Sequence, residues 1–381
     1  MIDFSPNESQ AAVAAVARSY AKEVLEPRAA TLDRTGGFPH DNLAQAARAG
    51  LLGINVPEAL GGRGAGVVAY SLAITETARA CAATTVALCV SNMVAEVVTH
   101  FGNEDQRTAY VPRLCRGELV VGAFALSEPG AGSDPGGMRT KATRTDRGWV
   151  LEGSKLWITS GTDAGLFVVW ARTSDAPGTR GISTFLVPGD TPGLVRGKPE
   201  HKMGLCGSTT TAIDFEACEV GPQALLGEEG RGFPVAMMAL DGGRVGIASQ
   251  ALGVGLAAVE AAAEFVAGDA GRRGQQWVQW ALADAATELD AAQLLVLRAA
   301  WLKERGQPFS REASIAKVFT TERAFAACNR AVEAMGAAGC DEAHAVERGL
   351  RDVRVTMIYE GTSEVQRIVI SRDIMRRFAS G

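Results

Sequence analysis

The chain has 381 residues, of which 47% are hydrophobic and 21% are charged, and its formal net charge at pH 7 is −5. This length predicts about two or three domains. No basic domain stands out to neutralise phosphates, which argues against a nucleic-acid partner, and the low net charge of mixed signs argues against disorder.

Residues 1–118 carry the pattern of an N-terminal helical domain. Ser5, Pro6 and Glu8 are typical of a helix start, as N-cap, first-turn proline and third-position glutamate. Apolar residues then recur at helical spacing over residues 13–25, 43–51, 70–80 and 84–100.

Residues 119–225 change character and predict a middle β-domain. Short β-rich segments alternate with Gly, Pro and Asp, a spacing that favours a small antiparallel barrel or sandwich. The segments are residues 119–124, 149–153, 166–171, 182–187 and 209–216.

Residues 226–381 are helical again. Four Ala- and Leu-rich stretches cover residues 233–265, 277–305, 310–335 and 362–378. Several are apolar nearly all round, so they must be buried in a four-helix bundle or against other subunits. The three blocks together predict an α+β fold.

The N-terminus and the cysteines favour a cytoplasmic protein, and the histidines argue against a metal site. The N-terminus shows no basic segment followed by an apolar one, and no run approaches ~20 uninterrupted apolar residues, so we expect no secretory signal and no membrane span. The seven cysteines have no C-x-x-C spacing, which is typical of reduced thiols. The four histidines lie far apart, and we expect no metal site.

A glycine-rich loop, residues 125–137, follows a strand-like run. Gly130 and Gly132 allow backbone amides to approach a ligand, while Ser127, Ser133 and Asp134 add polar tips. The pattern favours a cradle for a polar, phosphorylated cofactor, with an ordinary loop between strands as the alternative. It is neither a Rossmann fingerprint nor a P-loop.

Two further segments carry chemistry. Trp157 and Thr159 end a strand, where the indole could pack along a planar ring system and the Thr159 hydroxyl could donate a hydrogen bond to that ring system. A tryptophan buried in the core at the end of a strand is an equally good interpretation. Glu360 precedes a helix that Thr362 would cap, and apolar neighbours would raise the pKa of its carboxyl towards that of a general base. Taken alone, a surface glutamate beside a turn is the more ordinary explanation.

Together these segments resemble the acyl-CoA dehydrogenase family, in its short-chain, butyryl-CoA dehydrogenase-like branch. The resemblance covers essentially the whole chain. It rests on four motifs in register, which are residues 125–134, 157–159, 241–253 and 351–367.

The resemblance implies FAD as cofactor, a homotetramer that shares the flavin across an interface, and an electron-transfer flavoprotein as electron acceptor. It also implies α,β-dehydrogenation of a saturated acyl-CoA to the trans-2-enoyl thioester. Glu360 would remove the α-proton, flavin N5 would accept the β-hydride, and the Gly361 N–H would bind the thioester carbonyl.

The family pattern also assigns residues to each ligand. Those implied to bind FAD are Phe124, Leu126, Ser127, Gly132, Ser133, Trp157, Ile158, Thr159, Gln276, Glu333, Gly336, Thr362 and Glu364. Those implied to bind the thioester substrate are Ser133, Asp241, Arg244, Tyr359 and Gly361.

Three positions depart from the family pattern. The expected R-x-x-F-G segment is replaced by a shorter turn with Asp269 at the arginine position, although Arg272 or Arg273 could supply the charge. The family's Gln-x-x-Gly-Gly motif corresponds to residues 333–337, where Glu333 replaces the glutamine and Ala337 replaces the second glycine. Cys206 stands where arginine is common in the family. We therefore expect weak FAD retention or a remodelled adenine pocket.

Residues 88–93, in the region expected to line the acyl pocket, contain no arginine, so small to medium apolar acyl groups are favoured over dicarboxylyl ones. Two alternatives remain at this point. One is a dehydrogenase acting on an acyl-carrier-protein thioester in specialised biosynthesis, and the other is a redox-inactive subunit on the same fold.

Overall fold

The computed structural model of the chain describes residues 5–379. The first four residues, which belong to the segment predicted to lack a secretory signal, lie outside the described residues.

The first block is helical, as predicted. Its helices are α1 (Glu8–Tyr20), α2 (Glu26–Thr35), α3 (His40–Arg48), α4 (Gly66–Ala80), α5 (Ala82–Phe101) and α6 (Glu104–Cys115), with a π-helical turn at Ala21–Leu25 between α1 and α2. Helix α5 is buried along most of its length.

The predicted start of α1 is wrong by two residues. Asn7 is the N-cap, not Ser5: Asn7 Oδ1 accepts from Gln10 N at 2.9 Å, and Gln10 Oε1 accepts from Asn7 N at 3.0 Å. This reciprocal capping box satisfies two backbone donors at once, so the helix begins after Asn7.

The middle block forms one eight-stranded sheet in the order β6-β7-β3-β2-β4-β5-β8, with β1 added beside β4. The strands are β1 (Gly122–Ala125), β2 (Lys141–Thr145), β3 (Gly148–Thr159), β4 (Leu166–Arg172), β5 (Ile182–Pro188), β6 (Leu194–Arg196), β7 (Thr210–Val220) and β8 (Leu225–Leu226).

The sheet is only partly antiparallel, which corrects the sequence prediction. Strand β1 runs parallel to β4, with Gly122 opposite Leu166, and β2 meets β4 in parallel at Lys141 and Arg172. The remaining pairs are antiparallel. The parallel pairing with β4 places the loop that follows β1 beside the end of β3, where Leu156 N donates to Ser127 O at 2.9 Å.

The last block contains the four predicted long helices. Its helices are α7 (Gly232–Gly268), α8 (Ala270–Arg273), α9 (Gln276–Glu304), α10 (Ser310–Met335), α11 (Ala345–Val353) and α12 (Ser363–Ala379). Helix α7 packs against α9 and α10 and also against α4 and α5 of the first block, while α12 packs on α10.

Helices α5 and α7 are long and apolar enough to cross a membrane by length and composition alone. The most apolar window of α5 is 89% buried and that of α7 is 44% buried. Core helices of globular proteins pass the same test, so the two helices are weak support for a membrane span.

Candidate active site

The loop between α11 and α12 presents Glu360. Thr362 caps α12, since its Oγ1 accepts from Val365 N at 3.3 Å, as predicted. Glu360 and Gly361 have φ values of 55° and 91°, so two successive residues lie in the left-handed region. The Gly361 N–H donates to no acceptor within residues 5–379.

The Glu360 carboxylate lies against α7 at Gly243. A Cβ at Gly243 would collide with Oε2 of Glu360 and would lie 3.2 Å from Met93 Sδ, so only glycine allows this approach. Oε2 is buried and has no hydrogen-bond partner in the described part of the chain. Burial raises the pKa of Glu360 to about 7, although the positive charges of Lys317 and Arg244 oppose that shift.

Apolar and uncharged side chains from α4, α5 and the loop surround this carboxylate. Tyr70, Cys89 and Met93 are each only 5% exposed. Tyr359 donates its hydroxyl to Gln250 Oε1, and burial raises the pKa of Tyr359 and of Tyr70 well above the ordinary range. The Glu360 carboxylate thus lies among buried apolar side chains and hydroxyls that stay protonated.

Asp241 and Arg244, predicted to lie by the substrate, are on α7, two residues before and one residue after Gly243. Arg244 is buried and donates to Asp241 Oδ1 and, at 3.2 Å, to Ser314 Oγ, while Asp241 also accepts from Ser310 at 2.9 Å. Arg244 Nε has no partner among the described residues. The pair is thus held by α10, and the charge of Arg244 acts on Glu360.

Strands β1 and β3, with the glycine-rich loop that follows β1, carry a second group of predicted site residues, which we call the β wall. Trp157 is 58% exposed with φ of 61°, so its indole projects from the end of β3. Thr159 is half-buried two residues later, Phe124 packs against Trp170 with ring centroids 4.3 Å apart, and Leu126 is buried. Ile158 is 1% exposed in the core, so any contact with a cofactor would come from its backbone.

A buried ion pair ties this wall together. Lys155 is fully buried and its Nζ donates to Glu128 Oε1 at 2.7 Å and to the Leu126 carbonyl at 3.1 Å. Glu128 also accepts from the backbone amides of Arg139 and Thr140. Burial lowers the pKa of Lys155 to about 8, against the pull of Glu128. The pair thus anchors the glycine-rich loop to β3.

The glycine-rich loop is open. A Cβ at Gly130 or Gly132 would meet nothing within 4 Å, Ser133 is exposed, and Ser127 is half-buried. Asp134 instead caps its own turn by accepting from Gly136 N at 3.1 Å. The loop therefore offers backbone and hydroxyl groups to solvent on the side that faces away from the core.

The residues of this wall fit the FAD ring system that the family resemblance implies. Trp157 Nε1, Thr159 Oγ1 and Ser133 Oγ make no hydrogen bond with other described residues. An exposed indole plane, two unpartnered hydroxyls and free loop amides suit a flat ligand with polar edges.

The remaining predicted cofactor residues lie elsewhere on the bundle. Glu364 is exposed on the first turn of α12, beside Glu360, whereas Gln276, Glu333 and Gly336 lie where α9 begins and α10 ends. Along α10, Lys317 and Glu333 are about 24 Å apart at 1.5 Å per residue. One chain thus carries two separated groups of predicted cofactor residues.

The shortened turn near Gln276 forms the small helix α8. Asp269 is its N-cap and accepts from Gly271 N and Arg272 N, which explains an aspartate at this position. Arg272 donates to the Ala334 carbonyl at 3.2 Å and lies against Gly336, while Arg273 is exposed. Arg272 is therefore the cation beside the altered segment at residues 333–337.

Sequence reasoning missed Lys155, Glu128, Gly243 and Lys317. Lys317 could have been found, because it lies on the α10 face that also carries Ala313, Ala316 and Thr320, where a charged residue is unexpected. Contact between Gly243 and Glu360, far apart in the chain, leaves no local signal.

No group of three or more His, Cys, Asp or Glu side chains within residues 5–379 could hold a metal ion. All seven cysteines are free thiols.

Known proteins resemble the chain over nearly its full length. Family models for the acyl-CoA dehydrogenase N-terminal, middle and C-terminal domains match residues 7–118, 123–218 and 230–375. The human mitochondrial short-chain specific acyl-CoA dehydrogenase is 42% identical over 368 residues, which cover 95% of this chain and 89% of that protein.

Solved structures agree. Butyryl-CoA dehydrogenase from Megasphaera elsdenii superposes with a TM-score of 0.95 at 35% identity, covering 98% of this chain and 100% of the other. A chain solved in work on the electron transferring flavoprotein of Acidaminococcus fermentans gives a TM-score of 0.97 at 37% identity, with 98% and 100% coverage. The chain belongs to the acyl-CoA dehydrogenase family.

Proposed function

We propose that this chain is an FAD-dependent dehydrogenase of short, apolar acyl-CoA thioesters, with Glu360 as the catalytic base and an electron-transfer flavoprotein as electron acceptor. The observation that carries the proposal is the Glu360 carboxylate, buried beside Gly243 with an unpartnered Oε2 and with the free N–H of Gly361 next to it.

The protein residues prepare removal of the α-proton. The Gly361 N–H is free to donate to a thioester carbonyl, which would stabilise the negative charge that develops there. A carboxylate whose Oε2 is buried without a hydrogen-bond partner, with its pKa raised to about 7, is a stronger base than one in water. FAD, when bound, accepts the β-hydrogen as hydride.

The substrate class follows from the surroundings of Glu360. Tyr70, Cys89 and Met93 provide an apolar, uncharged lining. No arginine faces them from residues 88–93, so nothing there would pair a second carboxylate. Small and medium saturated acyl groups therefore fit.

We also expect the protein in the cytoplasm, because its seven cysteines have the spacing typical of reduced thiols.

The exposed apolar residues support assembly with copies of the same chain. Trp277, Trp280, Leu294 and Trp301 are 45–62% exposed and fall on one face of α9. Met375 and Phe378 on α12 are 69% and 83% exposed. Apolar surface of this extent is typical of protein interfaces, and a homotetramer would bring the separated cofactor residues of different copies together.

The test is anaerobic mixing of the purified yellow protein with butyryl-CoA, followed near 450 nm. Glu360→Gln should keep its flavin but reduce it about 10²–10⁴-fold more slowly, the range for loss of a general base. Glu342→Gln, an exposed turn residue, is the control and should bleach normally. Near-normal bleaching by Glu360→Gln would refute the assignment of the base.

The same assay separates the substrate alternatives. Faster reduction by butyryl-carrier protein than by butyryl-CoA would favour the carrier-protein dehydrogenase. A purified protein without absorbance near 450 nm, even after incubation with FAD, would favour the redox-inactive subunit.

A further inference from the structure

Lys317 is a fully buried lysine that reaches the Glu360 loop from α10. Its Nζ donates to the Gly361 carbonyl at 2.8 Å. Gln366 Nε2, from the first turns of α12, donates to the same carbonyl at 2.8 Å and to the Glu360 carbonyl at 3.4 Å. The Gly361–Thr362 peptide is thus held by two donors from two helices.

The loop needs such support because its backbone is unusual. Glu360, a non-glycine residue, has a left-handed φ, a strained conformation that persists only where the surrounding structure holds it. The carboxylate gains no hydrogen bond of its own at Oε2. Its position therefore depends on the backbone that Lys317 and Gln366 fix.

Burying an ammonium group to bind a carbonyl costs desolvation free energy, and a neutral donor could make the same hydrogen bond. Burial lowers the pKa of Lys317 to about 7, while the charge of Glu360 opposes that shift. Lys317 makes no direct ion pair with any described carboxylate, so its charge is left to act on the pocket. Stability alone gives no reason for a lysine here.

We propose that Lys317 is a positioning residue for the dehydrogenation: it fixes the Gly361–Thr362 peptide, directly after the Glu360–Gly361 peptide, through the Gly361 carbonyl and supplies positive charge to the surroundings of the Glu360 carboxylate. The inference rests on the proposed role of Glu360 as base.

Several charges share this pocket. Glu360 faces Lys317 from α10 and Arg244 from α7. Lys317 in turn is influenced by Glu360, Arg244, Glu322 and Glu364. Tyr70, Cys89 and Tyr359 also face the carboxylate, and burial keeps all three protonated at neutral pH. Removing Lys317 therefore leaves Arg244 as the described cation acting on Glu360.

The experiment compares three variants of the flavin-loaded protein. Lys317→Met removes both the donor and the charge in a similar volume, Gln366→Met removes one neutral donor and keeps the charge, and Arg323→Met is the control. Arg323 lies on the same helix but pairs with Glu288 of α9, at 3.4 Å. Flavin reduction by butyryl-CoA is measured across pH together with the thermal unfolding temperature.

Lys317→Met should reduce its flavin about 10- to 100-fold more slowly, as expected for a displaced base, with the rising limb of its pH profile moved to higher pH. Its unfolding temperature should be unchanged or higher, because a buried charge is gone. Gln366→Met should be slower with an unmoved limb, and Arg323→Met should match the parent protein.

The proposal would be overturned by a Lys317→Met protein that reduces its flavin at the parent rate, or by one whose pH profile keeps the parent's rising limb. If Lys317→Met fails to fold, flavin reduction by Gln366→Met at the parent rate would overturn it. The outcome is separable from that of the proposed function. Loss of reduction in Glu360→Gln together with parent behaviour of Lys317→Met would leave the base assigned and remove only this inference.

Discussion

At the scale of single residues, Gly243 decides how deeply Glu360 sits. Gly243→Ala would place a methyl group on the carboxylate, and we expect flavin reduction to slow by about 10²-fold because the base is displaced. The fold should hold, since alanine favours helix over glycine by ~1 kcal/mol.

The control for that change is Gly268→Ala at the end of the same helix, where a Cβ would meet nothing within 4 Å. Both variants should unfold near the parent temperature, and only the Gly243 variant should lose its reduction rate. Equal rates of flavin reduction in the two variants would show that the Glu360 carboxylate can shift without loss of activity.

The titration of Glu360 sets the pH dependence of the reaction. The base must be deprotonated, and burial raises its pKa to about 7. The rate of flavin reduction should therefore rise as pH increases through about 7 and level off above it. Stopped-flow reduction between pH 5 and 9 checks this, and a rate already constant from pH 5.5 upward would contradict a raised pKa.

At the scale of elements, the turn between α7 and α9 replaces a lost motif with a short helix. Asp269 is the N-cap of α8, and Arg272 lies beside Gly336 at the end of α10. If this end of the bundle binds the pyrophosphate of FAD, Arg272→Gln should lose flavin faster on dialysis, because one positive charge is removed.

Arg273→Gln is the matched control, since its exposed guanidinium donates, within residues 5–379, one hydrogen bond, to the Ala267 carbonyl at 3.5 Å. The ratio of absorbance at 450 nm to that at 280 nm after dialysis measures retention. Identical ratios for both variants would place the pyrophosphate elsewhere.

The long elements could be predicted from sequence because their apolar periodicity is local. The stretch 310–335 coincides with α10, and the other three long helices were predicted to within three residues at each end. Helix α11 was missed although Val346, Leu350 and Val353 recur at helical spacing. Strand β6 is three residues long, too short to produce an alternation.

The pairing of elements could not be predicted in the same way. The parallel contact of β1 with β4 joins segments about 44 residues apart, and nothing within either strand specifies the direction of its partner. The site residues found from sequence lie in local motifs around 127, 157 and 360, whereas Lys317 and Gly243 join the site only through tertiary packing.

At the scale of the whole molecule, the exposed tryptophans of α9 predict the assembly. Replacing Trp280 and Trp301 by aspartate should convert the protein to smaller species, because charge on an apolar interface is costly to bury. Light scattering after size exclusion measures the mass. If the separated cofactor residues act across copies, flavin content should fall with it.

The control replaces Val195, an apolar residue 40% exposed on β6 and away from α9 and α12, by aspartate. It should leave the mass unchanged. A tryptophan-substituted protein of unaltered mass would show that α9 faces solvent in the assembled protein.

The Lys155–Glu128 pair restricts how this chain could have changed over time. Its partners lie 27 residues apart, and breaking a buried pair from one side costs ~3–5 kcal/mol, a large part of a domain's net stability. We therefore expect either single substitution to be disfavoured and a joint apolar replacement to be tolerated. The two positions would then be epistatic, so that substitutions in the loop after β1 and in β3 are accepted only together.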